Sequence, residues 1–386
     1  MLIFLYTQDK RLKAQPIPFR RLNMVSSTME ENFFQGTLDF LMDYVSCKYY
    51  PPKDVTTYVV RQILLSPVHQ EGQQEIQKDA YMLLMKIQAL HPATTDTVVW
   101  DWQLLSKVME VQMTPGRNLF LQYIIQTLED DFQKMIRTGV LHRSIAKAVL
   151  SCDKCFGNVK EVIKWLIAIV TGARFSQHRK FLQETKNVLI DKSRGQTALL
   201  QRMLSIAVEV DKSPNCNATK IADVIFASLL NIPKRGQRDI FLSTMDCHLL
   251  RCKVLELIFQ HNCSVPTKEP LSLTKILHFL NHASLLLTYQ DTEKLWQGWD
   301  EILYQMNLLL LSYRHLRDPV YERIHLIIKA AKPKLQSNDY IENSKIKHSI
   351  SSIQKKLCQI LGQQIPSPIK EKIELLQVLL FTPMDT

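Results

Sequence analysis

The chain has 386 residues, 46% of them hydrophobic and 22% charged, which is enough apolar material for a sizeable core. Its 10 glycines are few against the roughly 27 that average usage gives, which argues against glycine-rich phosphate loops and the α/β nucleotide folds built on them. Lys and Arg number 48 against 37 Asp and Glu, a net charge of +11 that suits nucleic acid, an acidic protein or anionic lipid, although most of the cations also read as an ordinary solvated surface.

Residues 1–28 mix apolar and basic side chains around Pro16 and Pro18 and read as a docking arm. Leu2, Ile3, Phe4, Leu5 and Tyr6 have no helical face of their own, which makes them candidate partner-binding residues. Lys10, Arg11, Arg20 and Arg21 follow as candidates for a basic surface. The opening apolar run is six residues long and precedes its charges, unlike a secretory signal. No run approaches the ~20 apolar residues that span a bilayer, so a soluble intracellular protein with no membrane partner is expected.

Residues 29–386 read as a single large α-helical interaction domain. Periodicity predicts helices at 30–47, 53–66, 71–90, 101–111 and 117–150, the last with a break near Gly139. Further helices are predicted at 158–171, 178–190, 195–211, 218–231, 236–262, 271–288, 292–316, 318–331, 340–361 and 367–381. Pro92, Pro115, Pro214, Pro233, Pro266 and Pro366 fall between these segments or at their starts, where proline is tolerated. In 292–316, Leu295, Trp299, Ile302, Met306, Leu309 and Tyr313 share one face, as do Leu121, Ile124, Leu128, Phe132 and Met135 in 117–150. The β-branched runs 56–60 and 97–100 are short and lack a hairpin partner. No motif recurs at fixed period, so the expected architecture is an all-α, irregular helical stack, HEAT-like or α-solenoid-like.

Walker, dinucleotide, HExxH, G-x-S-x-G and calcium-loop patterns are all missing, and no enzyme activity or cofactor is expected. Eight irregularly spaced cysteines point to reduced thiols in the cytosol or nucleus. Cys152 and Cys155 form a C-x-x-C pair, half of a zinc site, but no second pair or H-x-x-x-H completes it, so two thiols at a helix end are expected. His278 and His282 lie one helical turn apart without a third ligand. Arg174, Arg179 and Lys180 interleave with Phe175 and Phe181, a composition that can hold phosphates while rings stack on bases. A nucleic-acid-binding helical protein therefore stays open beside a protein–protein scaffold.

The run 32–53, NFFQGTLDFLMDYVSCKYYPPK, resembles the carboxy-terminal helical region of the SUMO-interacting-motif-containing family, also called platform elements for inhibition of autolytic degradation. WDWQLL at 100–105 and QMNLLLLSYRHL at 305–316 are similar to the same region, and the resemblance spans nearly the whole chain. It implies a helical domain like one subunit of the SMC five-six loader dimer. It further implies a heterodimer with the SMC five-six localization factor, recruitment of that complex to nuclear bodies and viral replication centres, and a nuclear location with the cytoplasm as alternative. A second implied role is restraint of the muscle calpain. The family's SUMO-binding runs are β-forming and flanked by acids. Here 167–170 and 324–328 carry the apolar part inside predicted helices with basic or neutral flanks, so direct SUMO binding is not expected of this chain.

Overall fold

The computed structural model describes residues 14–67, 72–111, 114–172, 186–285, 292–317, 339, 341–361 and 365–382, with backbone alone at 186–193, 292–293 and 317. Among them the fold is all-α. Its β structure is a two-residue parallel pairing of Gln15–Pro16 with Tyr49–Tyr50 and one isolated bridge between Cys263 and Ala283. The chain forms two compact units, Met1–Val149 and Leu150–Thr386. The sequence reading takes 29–386 as one domain. The boundary between the units falls inside a six-residue helix, with no glycine- or proline-rich stretch to announce it.

The first unit contains α1 (Phe19–Glu30), α2 (Phe34–Tyr44), α3 (Lys53–Tyr58) and α4 (Gln73–Leu90), followed by α5 (Trp102–Glu110) and α6 (Pro115–Thr138). A 3-10 turn (Leu141–Arg143) leads to α7 (Ile145–Leu150), which crosses into the second unit. Local chemistry sets the ends of α5 and α6. Asp101 caps α5 by accepting from the Leu104 N–H at 2.7 Å. Thr114 caps α6 ahead of Pro115, and Gly139 closes that helix with φ +69°. Between those ends Phe120, Leu121, Ile124, Leu128 and Phe132 are buried, while Met135 at the end of the expected stripe is half-exposed.

Part of the segment read as a docking arm, 1–28, is regular: Phe19–Glu30 forms helix α1. Pro18 pre-sets the backbone for the first turn, and Leu22, Val25 and Met29 share a face by their spacing. The β-branched run 56–60 is helical too, and continues as a π-helical turn over Val59–Leu64.

The second unit holds α8 (Phe156–Thr171), α9 (Lys186–Glu209), α10 (Pro214–Leu229), α11 (Arg235–Ser243) and α12 (His248–Asn262). It continues with α13 (Leu273–His282), α14 (Thr292–Arg317), α15 (Asn343–Leu361) and α16 (Ser367–Phe381). Two expected boundaries move. Helix α9 runs unbroken through Gly195, where a gap was expected between 178–190 and 195–211. The expected helix 236–262 is two: the Thr244 hydroxyl folds back onto the Ile240 carbonyl at 2.7 Å, and the Cys247 sulfur caps the Leu250 N–H at 3.5 Å. The expected helix 318–331 lies outside the described residues.

Helix α12 packs against α10 and α14 and buries Leu250, Cys252, Val254, Leu255, Ile258 and Phe259 around its circumference. Its buried acid, Glu256, meets Lys275 of α13 at 2.6 Å, and Lys275 is only 2% exposed. On α14, Trp299, Ile302, Met306, Leu309 and Tyr313 are buried as their spacing predicts, while Leu295 at the start of the expected stripe is half-exposed. Charged clamps fasten the neighbouring helices to α14: Arg238 of α11 grips both oxygens of Glu301 at 2.7 Å each, and Asp300 takes Arg235 at 2.6 Å and Lys372 of α16 at 2.7 Å.

Two glycines give opposite expectations. A Cβ on Gly116 would collide with the Leu64 carbonyl and sit 2.7 Å from the Gln77 side chain. Gly116→Ala should therefore cost about 1–3 kcal/mol. Gly195 has open space inside α9, so Gly195→Ala should add roughly 0.5–1 kcal/mol. Denaturant melts of the two variants should shift in opposite directions.

Candidate interaction surfaces

Helix α1 carries Phe19, the most exposed large apolar side chain among the described residues. Val25 is its only fully buried residue, while Phe19 is 75% and Met24 48% exposed. Around them sit polar groups suited to a protein interface. The Arg21 guanidinium lies 5.1 Å over the Tyr44 ring, the Tyr44 hydroxyl points at the Met24 sulfur at 3.6 Å, and Tyr44 stacks on Phe40 with centroids 6.0 Å apart. Phe33, at the turn into α2, is also exposed. Arg20 and Arg21, read from sequence as basic-surface candidates, thus lie on an exposed helix among aromatics. Leu2, Ile3, Phe4, Leu5, Tyr6, Lys10 and Arg11 lie outside the described residues, as do Arg174, Arg179 and Lys180.

The C-x-x-C pair sits in the turn between α7 and α8. Cys155 occupies the N-cap position of α8, and its N–H donates to the Ser151 carbonyl at 2.7 Å. Cys152 is buried: its thiol donates to the Ala207 carbonyl at 3.6 Å and its N–H to Asp211 Oδ2 at 2.8 Å. Asp211 also accepts from the Ser151 hydroxyl at 2.9 Å and the Asn217 amide at 3.3 Å, so a buried carboxylate organises this turn. Asp131 does the same at the start of α7, accepting from the Ser144 hydroxyl and the Ile145 N–H at 2.7 Å each. Burial, with the nearby Asp211 charge second, pushes the Cys152 thiol up to about 12. Cys152 should therefore resist iodoacetamide at pH 8 in the folded chain while the exposed Cys47, Cys216 and Cys358 react, as peptide mass spectrometry will read.

Among the described residues, two histidine pairs occur in the second unit. His278 and His282 approach with ring centroids 4.5 Å apart, and His278 Nε2 bonds the Val265 carbonyl at 2.8 Å. Sequence reasoning missed the other pair, which joins α12 to α14: His248 and His315 stack at 4.3 Å with rings 14° from parallel. Residues 67 apart in the chain give no local signal of such a stack. Among the described residues, no group of three His, Cys, Asp or Glu side chains could hold a metal ion.

Burial first, then His315 and Arg251, lowers His248 to about 4. A depressed base favours the neutral form, so its stabilising effect is full above the unfolded value of about 6.5 and is lost as pH falls toward 4. His248→Gln should remove on the order of 1 kcal/mol of acid sensitivity between pH 7 and about 4.5, the half-exposed ring being partly screened by water, seen as a smaller shift in urea midpoint than in the unaltered chain.

No helix among the described residues is long and apolar enough to cross a membrane. A scan against protein-family models finds no match to this chain.

Proposed function

We propose that this chain is a non-enzymatic helical scaffold that pairs with the SMC five-six localization factor and helps bring the SMC five-six complex to nuclear bodies and viral replication centres. The reading rests on the resemblance of 32–53, 100–105 and 305–316 to the family's helical region. The structural observation that supports it is the exposed face of α1. Phe19 and Met24, flanked by Arg20 and Arg21, combine apolar anchors with arginine, the mixture that dominates interface energetics. The all-α fold is the class this reading requires.

Co-expression and sedimentation test the pairing. The chain and the localization factor should co-sediment at micromolar concentration, and Phe19→Asp with Met24→Asp should weaken the pair by at least about tenfold, typical of losing two interface anchors. Circular dichroism should show the double variant still helical. A chain that stays monomeric beside the candidate partner, or a pair indifferent to both substitutions, would refute the α1 interface. Tight capture of the muscle calpain with no capture of the localization factor would transfer the reading to the calpain role.

A further inference from the structure

The acids and bases of this protein are not buried evenly. Among the described residues, Asp131, Asp211, Glu256, Asp300 and Asp339 are buried, against the single cation Lys275. Each of these carboxylates is held by interior donors: hydroxyls and N–H groups at Asp131, Asp211 and Asp339, and cations at Glu256 and Asp300. Acids spent on the interior leave the solvent face richer in cations than the composition alone implies.

Helix α15 carries part of this excess with no acid to offset it. From Asn343 to Lys370 the chain contains no acid, while Lys345, Lys347, Lys355 and Lys356 lie within the helix. Its two faces are cleanly divided. Ile346, Ile350, Ile353 and Leu357 are buried, and Lys345, Lys347, His348, Ser352 and Lys355 are exposed. Lys356 is turned inward, donating to the Ala283 carbonyl at 2.7 Å and lying 5.3 Å over the Trp299 ring. The other three lysines have no ion-pair partner within their own helix, because that helix has no acid to offer.

We propose that the exposed face of α15 binds the phosphate backbone of double-stranded nucleic acid without reading its sequence. The spacing of the charges fits. Lys347 and Lys355 are eight residues apart, about 12 Å along the axis at 1.5 Å per residue, comparable with the ~12 Å major groove whose two rims carry phosphates. Lysine supplies a point charge on a flexible stem, suited to positioning on phosphates rather than to bidentate recognition of a base. The exposed face carries no Phe, Tyr or Trp, and its one ring is the small imidazole of His348, a poor platform for successive unpaired bases, which disfavours single strands. It also lacks a large exposed anchor apart from Ile360 at its end, and lysine is depleted at protein interfaces, which disfavours an acidic protein partner.

The test is fluorescence anisotropy of the full chain with a mixed-sequence duplex of about 30 base pairs, over roughly 50–200 mM salt. Lys345→Glu, Lys347→Glu and Lys355→Glu together should lower affinity at least about tenfold and flatten the log–log salt dependence by about two to three, the share of three phosphate contacts. The matching Lys→Gln triple should move both quantities in the same direction by less. A control reversing Arg61, Lys78 and Lys107, exposed in the first unit, changes net charge equally and should retain most of the affinity. Matching helical circular dichroism of both reversal variants would separate lost binding from lost folding, and a misfolded α15 reversal variant passes the test to the Gln triple. Absence of duplex binding by the unaltered chain at the lowest salt overturns the proposal. So does equal loss in the control, or a single strand or an acidic peptide competing as well as duplex.

Discussion

Helix α12 gives water only a narrow flank, where Lys253 and Gln260 are partly open and His261 is exposed. With α10 against one side and α14 against another, buried residues occupy most of its circumference, and the second unit is assembled around that constraint. A helix so placed draws its stability from packing rather than from propensity, and any charge it carries inward must be answered on the spot. Lys275 answers Glu256, with the Glu269 carbonyl 2.5 Å from the same ammonium. Removing either partner alone would strand a charge in the interior, so the pair persists as a unit even though its net contribution is small.

The same logic governs the helices that enclose this core. Arg238 and Arg235 reach α14 from α11, and Lys372 reaches it from α16, so carboxylates on one long helix gather cations from two others. In both units, buried aspartates accept from serine hydroxyls and backbone N–H groups where a helix begins or a turn closes. Acids thus act as internal fasteners, and only the cations that these acids do not recruit are left outside. This sorting joins the packing of the protein to the sign of its surface, and hence to the class of molecule that approaches it.

Much of the fold was legible because helical periodicity is local. The stripe Trp299–Ile302–Met306–Leu309–Tyr313 on α14 and the stripe Leu121–Ile124–Leu128–Phe132 on α6 are buried as their spacing requires. What escaped depends on side chains folding back or on distant contacts. The split between α11 and α12 follows from the Thr244 hydroxyl and the Cys247 sulfur, neither of which interrupts the apolar pattern. Helix α1 hid in a segment whose prolines suggested an arm, although Pro18 is where a helix begins. The α15 surface was overlooked because its lysines are unremarkable singly; the signal is the missing acid over 28 residues and the burial of acids elsewhere. The His248–His315 stack has no local signature at all.

The unequal anchoring of the helices has a consequence for exchange of amide protons with solvent. Val25 alone pins α1 fully into the interior, while α12 places seven residues there. Opening α1 sacrifices little buried surface, whereas opening α12 dismantles the contacts of α10 and α14 together. Amides of α1 therefore exchange through a small local opening, and those of α12 only when the unit itself unfolds. A molecule that draws α1 away from its seat pays for that local opening and leaves the rest of the protein standing.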